Sequence, residues 1–126
     1  MTVVLDASAL LAYLLQEPGA EVVDGLLSDA RMTSVNWAEV VQKALSAGVD
    51  VQGMREELQA LGMQVEPFLA TDGERAGQLW PLTRQRGLSL GDRACLSLGL
   101  RLGLKVVTCD RAWAEMPLEL EIQVLR

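Results

Sequence analysis

The fold is indicated first by the stretch Val3-Val4-Leu5-Asp6-Ala7-Ser8, an apolar run that stops at a carboxylate and, two residues later, a hydroxyl. Such a run is typical of a buried parallel strand, which here delivers Asp6 to its carboxyl end. Open α/β sheets bind their ligands at that end. The segment Lys105 to Asp110 repeats the pattern, with Thr108 as the hydroxyl. The two stretches therefore predict two acids at one edge of a sheet.

Strands alternate with helices along the rest of the chain. Further strands are predicted near residues 32–35, 64–68 and 121–124, the second of them at a sheet edge because Pro67 follows it. Helices are predicted over residues 9–15, 20–27, 37–47, 51–61, 71–82 and 90–102, with a short one from residue 111. This alternation predicts an α/β fold: a central parallel sheet of about four to five strands with helices on both faces.

Several helix starts carry capping residues. Ser8 and Asn36 are predicted N-caps, which places Glu39 in the first turn of its helix. Capping boxes are predicted from Thr71 to Glu74 and from Ser89 to Asp92, and Pro81 is predicted to kink or split the helix that contains it. No repeat, low-complexity tract or linker interrupts the pattern, so residues 1–126 are expected to form one domain.

Composition excludes several kinds of chemistry. The chain has 126 residues, half of them hydrophobic, which is enough for a real core. Its 17 acidic and 11 basic residues give a net charge of -6, which argues against a broad basic surface for nucleic acid and against an anionic membrane partner. The absence of histidine excludes a Ser-His-Asp triad, a histidine general base and a histidine-ligated zinc site.

Cysteine usage and hydropathy point to a cytoplasmic protein. Cys95 and Cys109 lack the C-x-x-C spacing of redox and metal motifs, so they are predicted to be buried free thiols. No basic leader is evident, and no run approaches the roughly 18 apolar residues of a membrane span.

Four acids stand at element boundaries that could bring them to the same edge: Asp6, Glu39, Asp92 and Asp110. Each has an ordinary alternative as a helix cap or a partner of the helix dipole. Together they predict a shared pocket, where burying like charges is costly unless a cation or protons neutralise them. Oxygen ligands without histidine favour Mg²⁺ or Mn²⁺ over zinc.

Four motifs contain the four acids: VLDASAL from Val4, NWAEV from Asn36, LSLGDRACL from Leu88 and VTCDRAW from Val107. In order and spacing they resemble the motifs of the PIN-domain family, especially of its bacterial VapC-type toxins. The resemblance covers essentially the whole chain. It implies a PIN-like three-layer fold, a magnesium-dependent ribonuclease activity that makes the protein the toxin of a toxin–antitoxin pair, a homodimer, and an antitoxin partner that blocks the acidic pocket.

Position by position, the resemblance matches Asp6, Glu39, Asp92 and Asp110 to the family's acidic quartet, and Ser8 and Thr108 to its accompanying hydroxyls. The acidic net charge conflicts with RNA binding, which depends on phosphate neutralisation. Besides the metal, the candidates for gripping phosphates are Arg93, Arg111 and Lys43, with solvated surface charge as their alternative. Trp37 and Trp113 could stack on bases, although a core position is favoured.

Other functions fit less well. A receiver-type phosphoacceptor domain needs paired acids after its first strand and a lysine after a late one, whereas Asp6 stands alone and Lys105 precedes its strand. A haloacid-dehalogenase-type phosphatase needs a second aspartate where this chain has Ser8, and no P-loop is present. A PIN-like module that binds RNA or protein without catalysis stays open.

Overall fold

A computed structural model describes residues 1–126, in which five short strands form one parallel sheet. The strands are β1 (Val3–Leu5), β2 (Ala30–Thr33), β3 (Gln64–Glu66), β4 (Lys105–Thr108) and β5 (Ile122–Val124). Their order across the sheet is β3-β2-β1-β4-β5. In the register of the central pair, Val4 lies opposite Val106 and Leu5 opposite Val107. The predicted parallel sheet is confirmed, and β3 is an edge strand as its proline indicated.

Seven α-helices surround the sheet: α1 (Ala7–Leu14), α2 (Ala20–Leu26), α3 (Ser34–Ser46), α4 (Met54–Ala60), α5 (Ala70–Gln78), α6 (Trp80–Thr83) and α7 (Leu90–Leu102). Short 3-10 turns span Leu27–Asp29, Arg84–Arg86 and Arg111–Trp113. Pro81 lies in the first turn of α6 and separates it from α5, which confirms the predicted split. None of these helices is long and apolar enough to cross a membrane.

Alternating side chains of β1 divide the hydrophobic core between the two faces of the sheet. Val3 and Leu5 pack with buried residues of α1 to α4, such as Leu10, Val23 and Val40. Val4 faces the other way and packs with α7 and the fully buried Trp113. Because both sheet faces are covered, β1 is apolar throughout rather than alternating. The three-layer α/β fold is thus confirmed, and Trp113 is a core residue.

Two predicted N-caps were wrong, and both errors moved the helix start away from the strand. Asp6, not Ser8, caps α1, since its Oδ1 accepts a hydrogen bond from the Ala9 amide at 2.8 Å. Thr33, not Asn36, caps α3, through the Val35 amide at 2.9 Å. In each case the last strand residue or its neighbour supplies the capping oxygen, because the strand passes into the helix without a loop. Glu39 consequently lies in the second turn of α3, not the first.

Two other helix starts differ from prediction. Leu69 rather than Thr71 is the N-cap of α5, and the Asp72 carboxylate accepts a hydrogen bond from the Leu69 amide at 2.8 Å. The fourth helix begins at Met54 rather than near residue 51, because Gly53 before it has a positive φ of 76°. By contrast, α7 begins and ends as predicted, with both bonds of the Ser89–Asp92 capping box present.

Candidate active site

The acidic side chains lie at the switch point of the sheet. The chain runs from β1 outward to β2 and β3, then returns to place β4 on the other side of β1. Ligand crevices of α/β sheets form outside the carboxyl ends of strands at such a reversal. Asp6 follows β1 and Asp110 follows β4, while α3 and α7 supply Glu39 and Asp92.

Asp6 is buried within a network of hydroxyl groups. Its Oδ2 accepts hydrogen bonds from Thr108 Oγ1 at 2.5 Å and from Ser8 Oγ at 2.9 Å, and the same Ser8 hydroxyl lies 2.7 Å from Oδ1. Ser8 Oγ also accepts a bond from the Cys109 amide at 2.9 Å. The two hydroxyls predicted to accompany Asp6 therefore contact it directly and link the ends of β1 and β4.

Burial raises the pKa of Asp6 to about 6, and the negative charge of Asp92 contributes to the rise. The hydrogen bonds from Thr108, Ala9 and Ser8 oppose it, because they stabilise the ionised form. The pKa of Asp6 stays raised because removal of its carboxylate from water outweighs these donors.

Asp92 connects the four acids electrostatically. Its Oδ2 accepts a hydrogen bond from the Ser89 amide at 2.9 Å, which closes the capping box of α7. Partial burial raises the pKa of Asp92, and the carboxylates of Glu39 and Asp110 add to the effect. Asp92 also contributes to the raised pKa of Asp6, so it interacts electrostatically with each of the other three predicted acids.

Glu39 is held by a residue whose role the sequence did not reveal. Asn36 is fully buried, and its Nδ2 donates to Glu39 Oε1 at 2.7 Å and to the Gly91 carbonyl at 2.9 Å. A spacing of three residues places Asn36 and Glu39 on the same face of α3, which is the local signal that could have indicated the pair. The bond to Gly91 spans 55 residues and has no local signal.

Asp110 is the most open member of the group. It is exposed, and its Oδ1 accepts a hydrogen bond from the Ala112 amide at 2.9 Å, as an N-cap of the turn that follows β4. Its own amide donates to Thr108 Oγ1 at 3.0 Å. The same Thr108 hydroxyl therefore contacts both Asp6 and the backbone of Asp110.

The donor chemistry of this edge fits a hard divalent cation. All four candidate ligands are carboxylates, and burial raises the pKa of both cysteine thiols, which therefore remain protonated near neutral pH. Burial, with a smaller contribution from neighbouring carboxylates, raises the pKa of Asp6 and of Asp92, and a bound cation would favour the ionised form of both. In this conformation, however, no three acidic or thiol side chains are grouped closely enough to share one ion.

The three basic candidates differ in what they contact. Arg93 is half-buried and donates to the Ala76 carbonyl of α5 at 3.0 Å, and exposed Arg111 donates to the Arg126 carbonyl at 3.1 Å. Exposed Lys43 has no hydrogen bond or ion pair through its ammonium group. It lines a cavity of about 340 Å³ between α1 and α3 that Ser8 also lines, so the cavity adjoins the Asp6 network.

A cavity of about 380 Å³ lies at the opposite edge, near Thr2, Lys105 and Glu121. It contains neither the strand-end acids nor the hydroxyls. This cavity therefore lies away from the predicted site.

Comparisons with known proteins agree with this architecture. The family description "PIN domain" matches residues 3–118 of the chain. No curated protein sequence matches the chain significantly.

Solved structures share the fold at low identity. A DNA-bound VapBC from Salmonella typhimurium has a TM-score of 0.72 and 15% identity, covering 100% of this chain and 99% of that one. A toxin–antitoxin complex from Klebsiella pneumoniae has a TM-score of 0.70 and 17% identity, covering 91% and 92%. VapBC-1 from nontypeable Haemophilus influenzae has a TM-score of 0.69 and 21% identity, covering 99% and 98%. At these identities the similarity establishes the fold.

Proposed function

This chain belongs to the PIN-domain family, and from that premise we propose that it is a metal-dependent endoribonuclease, the toxin of a toxin–antitoxin pair. The observation that carries the proposal is that Asp92 interacts electrostatically with Asp6, Glu39 and Asp110, near the switch point of the sheet. Structural similarity to toxin–antitoxin complexes along nearly the full chain supports the toxin assignment. The whole of residues 1–126 is proposed to act as one catalytic domain.

In this proposal Asp6, Glu39, Asp92 and Asp110 hold Mg²⁺ or Mn²⁺. A bound ion of this kind supplies a water of lowered pKa and neutralises charge on the phosphate. Ser8 and Thr108 fix the orientation of Asp6, because their hydroxyls donate to both of its oxygens. The capping bond from Ser89 holds Asp92 at the start of α7. RNA hydrolysis at this site is expected to leave 5′-phosphate and 3′-hydroxyl ends.

Lys43 is the strongest of the three candidates for contacting RNA. Its charge is unpaired, and it lines the cavity that adjoins the Asp6 network. Arg111 is exposed and could reach a phosphate from the β4 side, although its Nε already donates to a carbonyl. Arg93 is the weakest candidate, because its guanidinium is directed to the backbone of α5.

A cognate antitoxin is the proposed partner, with a basic side chain inserted among the four acids. The net charge of -6 and the raised pKa of Asp6 support a cationic group there. We also propose that the toxin acts as a homodimer. Alanine substitutions at Asp6 and Asp92 should weaken co-purification with the antitoxin, and unchanged co-purification would place the antitoxin elsewhere.

One observation favours a second candidate, a PIN-like module that binds RNA or protein without catalysis. In the conformation described, no three acidic side chains surround one point. To bind one ion together, the carboxylates of Glu39, Asp92 and Asp110 would have to move from the hydrogen bonds that they accept in this conformation.

Cleavage assays distinguish the two candidates. Purified protein incubated with a structured RNA should cleave it when Mg²⁺ is added, and EDTA should stop the reaction. Asp6→Asn and Asp92→Asn should each lower the rate at least about 100-fold, because loss of a ligand exceeds the effect of losing an outer partner. Asp24→Asn, at an exposed position on α2, is the matched control. Undiminished cleavage in both site variants would exclude the proposed site.

A further inference from the structure

We propose that Asn36 and Gly91 are positioning residues that hold the Glu39 carboxylate beside Asp92, so that the two acids can serve one metal ion. The inference rests on the proposed function, because it assigns a purpose to the placement of Glu39 within that site. Asn36 lies on α3, and Gly91 lies in the first turn of α7 next to Asp92. Together they connect the two helices that carry Glu39 and Asp92.

Asn36 provides the hydrogen bonds. Its single amide nitrogen donates to Glu39 Oε1 at 2.7 Å and to the Gly91 carbonyl at 2.9 Å. Both partners can only accept, so the orientation of the amide group is determined by its neighbours. The side chain is fully buried, which shields these bonds from exchange with water. One buried residue thus fixes the distance from the Glu39 carboxylate to the start of α7.

The other atom of the Asn36 amide argues for a role beyond packing. Its Oδ1 is buried and has no hydrogen-bond partner. An unpaired buried acceptor destabilises a fold, so an apolar residue of similar size would join α3 to α7 at lower cost. What an apolar residue could not do is donate a hydrogen bond to Glu39.

Gly91 provides the space. A Cβ atom at this position would lie 2.7 Å from Glu39 Oε1, 2.9 Å from Cδ and 3.0 Å from Oε2. The carboxylate therefore occupies the place of the missing side chain. Gly91 has no positive φ, and glycine within a helix is less favourable than alanine. The backbone does not require glycine here, whereas the Glu39 carboxylate does.

These contacts predict an unusual combination of effects for Gly91→Ala. The atoms that a new Cβ would meet belong to the end of a flexible side chain, so the fold can accommodate it by moving the carboxylate. Helix propensity should keep the thermal midpoint at or above that of the wild type. The displaced carboxylate should weaken Mn²⁺ binding, since loss of a ligand's supporting contacts lowers metal affinity by about 10- to 100-fold.

The test measures Mn²⁺ binding without RNA, by electron paramagnetic resonance of the free ion, together with thermal unfolding. Gly91→Ala and Asn36→Leu should each raise the Mn²⁺ dissociation constant by about 10- to 100-fold. Gly77→Ala is the matched control, because Gly77 lies in α5 and a methyl group added there would have nothing within 4 Å. It should bind Mn²⁺ as the wild type does. Wild-type affinity in both Gly91→Ala and Asn36→Leu would overturn the inference.

A second readout needs no metal. In ¹⁵N spectra, the side-chain amide signals of Asn36 should shift from their wild-type positions on Gly91→Ala and on Glu39→Gln, but not on Gly77→Ala. Unmoved signals would overturn the inference. A wild-type chain that binds no Mn²⁺ and cleaves no RNA would overturn the proposed function instead, and the spectra would still decide whether these two residues hold Glu39.

Discussion

Asp6 accepts more hydrogen bonds than any other acid of the site, yet burial still opposes its ionisation. Four contacts from Ser8, Ala9 and Thr108 reach its two oxygens, and its pKa is nevertheless about 6. The conflict arises because only 4% of the residue is exposed and Asp92 adds negative charge. The hydrogen bonds thus fix the position of the Asp6 carboxylate, whereas burial makes its ionisation unfavourable.

The raised pKa of Asp6 predicts a specific pH dependence of stability. Because the folded pKa of about 6 exceeds the ordinary value of 3.8, folding favours the protonated form. The contribution is fully present below pH 3.8 and is lost as the pH rises through 6. The difference corresponds to about 3 kcal/mol. The free energies of unfolding of Asp6→Asn and the wild type should therefore be closer at about pH 4. At about pH 7, Asp6→Asn should be the more stable of the two.

Urea unfolding in EDTA at the two pH values measures this effect, with Asp24→Asn as the exposed control. Added Mg²⁺ should stabilise the wild type at neutral pH and not Asp6→Asn, because the ion binds only the folded site. If the difference in unfolding free energy between the wild type and Asp6→Asn did not change with pH, the pKa of Asp6 would not be raised by folding.

At the same scale, local patterns predicted some residue roles and not others. The Ser89–Asp92 box was predictable because both of its bonds join residues three positions apart. Asn36 also carries a typical capping side chain, but its partner Gly91 is 55 residues away, so local reasoning assigned it to the wrong task. The N-cap role predicted for Ser8 was wrong, but its hydroxyl contacts Asp6, as the family resemblance implied, and also accepts a hydrogen bond from the Cys109 amide.

Among the elements, α7 packs most closely against the sheet at Gly99. Asp92 lies in the first turn of this helix, and Gly99, two turns further on, lies against β4 with no room for a side chain. The sequence indicated this close-packed face, because Asp92, Cys95, Leu96 and Gly99 share one side of a helix. The order of helices and strands could be predicted from hydrophobic periodicity. The first residues of α1 and α3 could not, because each helix begins directly where a strand ends and periodicity does not locate that boundary.

The close approach of α7 predicts a large effect for Gly99→Ala. A Cβ there would lie 2.5 Å from Val106 Cγ2 and 3.3 Å from Leu120 Cδ1. Overpacking of this kind destabilises by about 1–3 kcal/mol. Gly25→Ala in α2, which has nothing within 4 Å, should instead stabilise by about 0.5–1 kcal/mol. Urea unfolding measures both, and equal effects would show that α7 does not pack as described.

For the molecule as a whole, a net charge of -6 limits how the proposed RNA substrate can be bound. Of the three basic candidates near the site, Lys43 has no hydrogen bond through its ammonium group, whereas Arg93 and Arg111 donate to backbone carbonyls. Three cations can neutralise only a few phosphates. Affinity should then depend on the ion and on base or sugar contacts more than on ionic strength. Family membership could be predicted from four spaced motifs. The hydrogen-bond partners of the basic side chains could be identified only from the structure.

The salt dependence of RNA binding tests this view. Lys43→Ala should lower the slope of log affinity against log salt by about 0.7 for single-stranded RNA, the value of one phosphate contact. Lys105→Ala should leave the slope unchanged, because Lys105 lies at the opposite edge beside Glu121. The measurement uses the Asp92→Asn variant, so that the RNA stays intact. An unchanged slope in Lys43→Ala would remove this residue from the RNA surface.

The bond between Thr108 and Asp6 joins residues 102 positions apart. During synthesis, a ribosome therefore completes α1 to α6 before Asp92 and Asp110 are made, and β4 can pair with β1 only after that. Contacts of such long sequence separation form slowly. A nascent chain that ends before α7 would carry Asp6 and Glu39 without Asp92 and Asp110, and so would lack half of the proposed metal site.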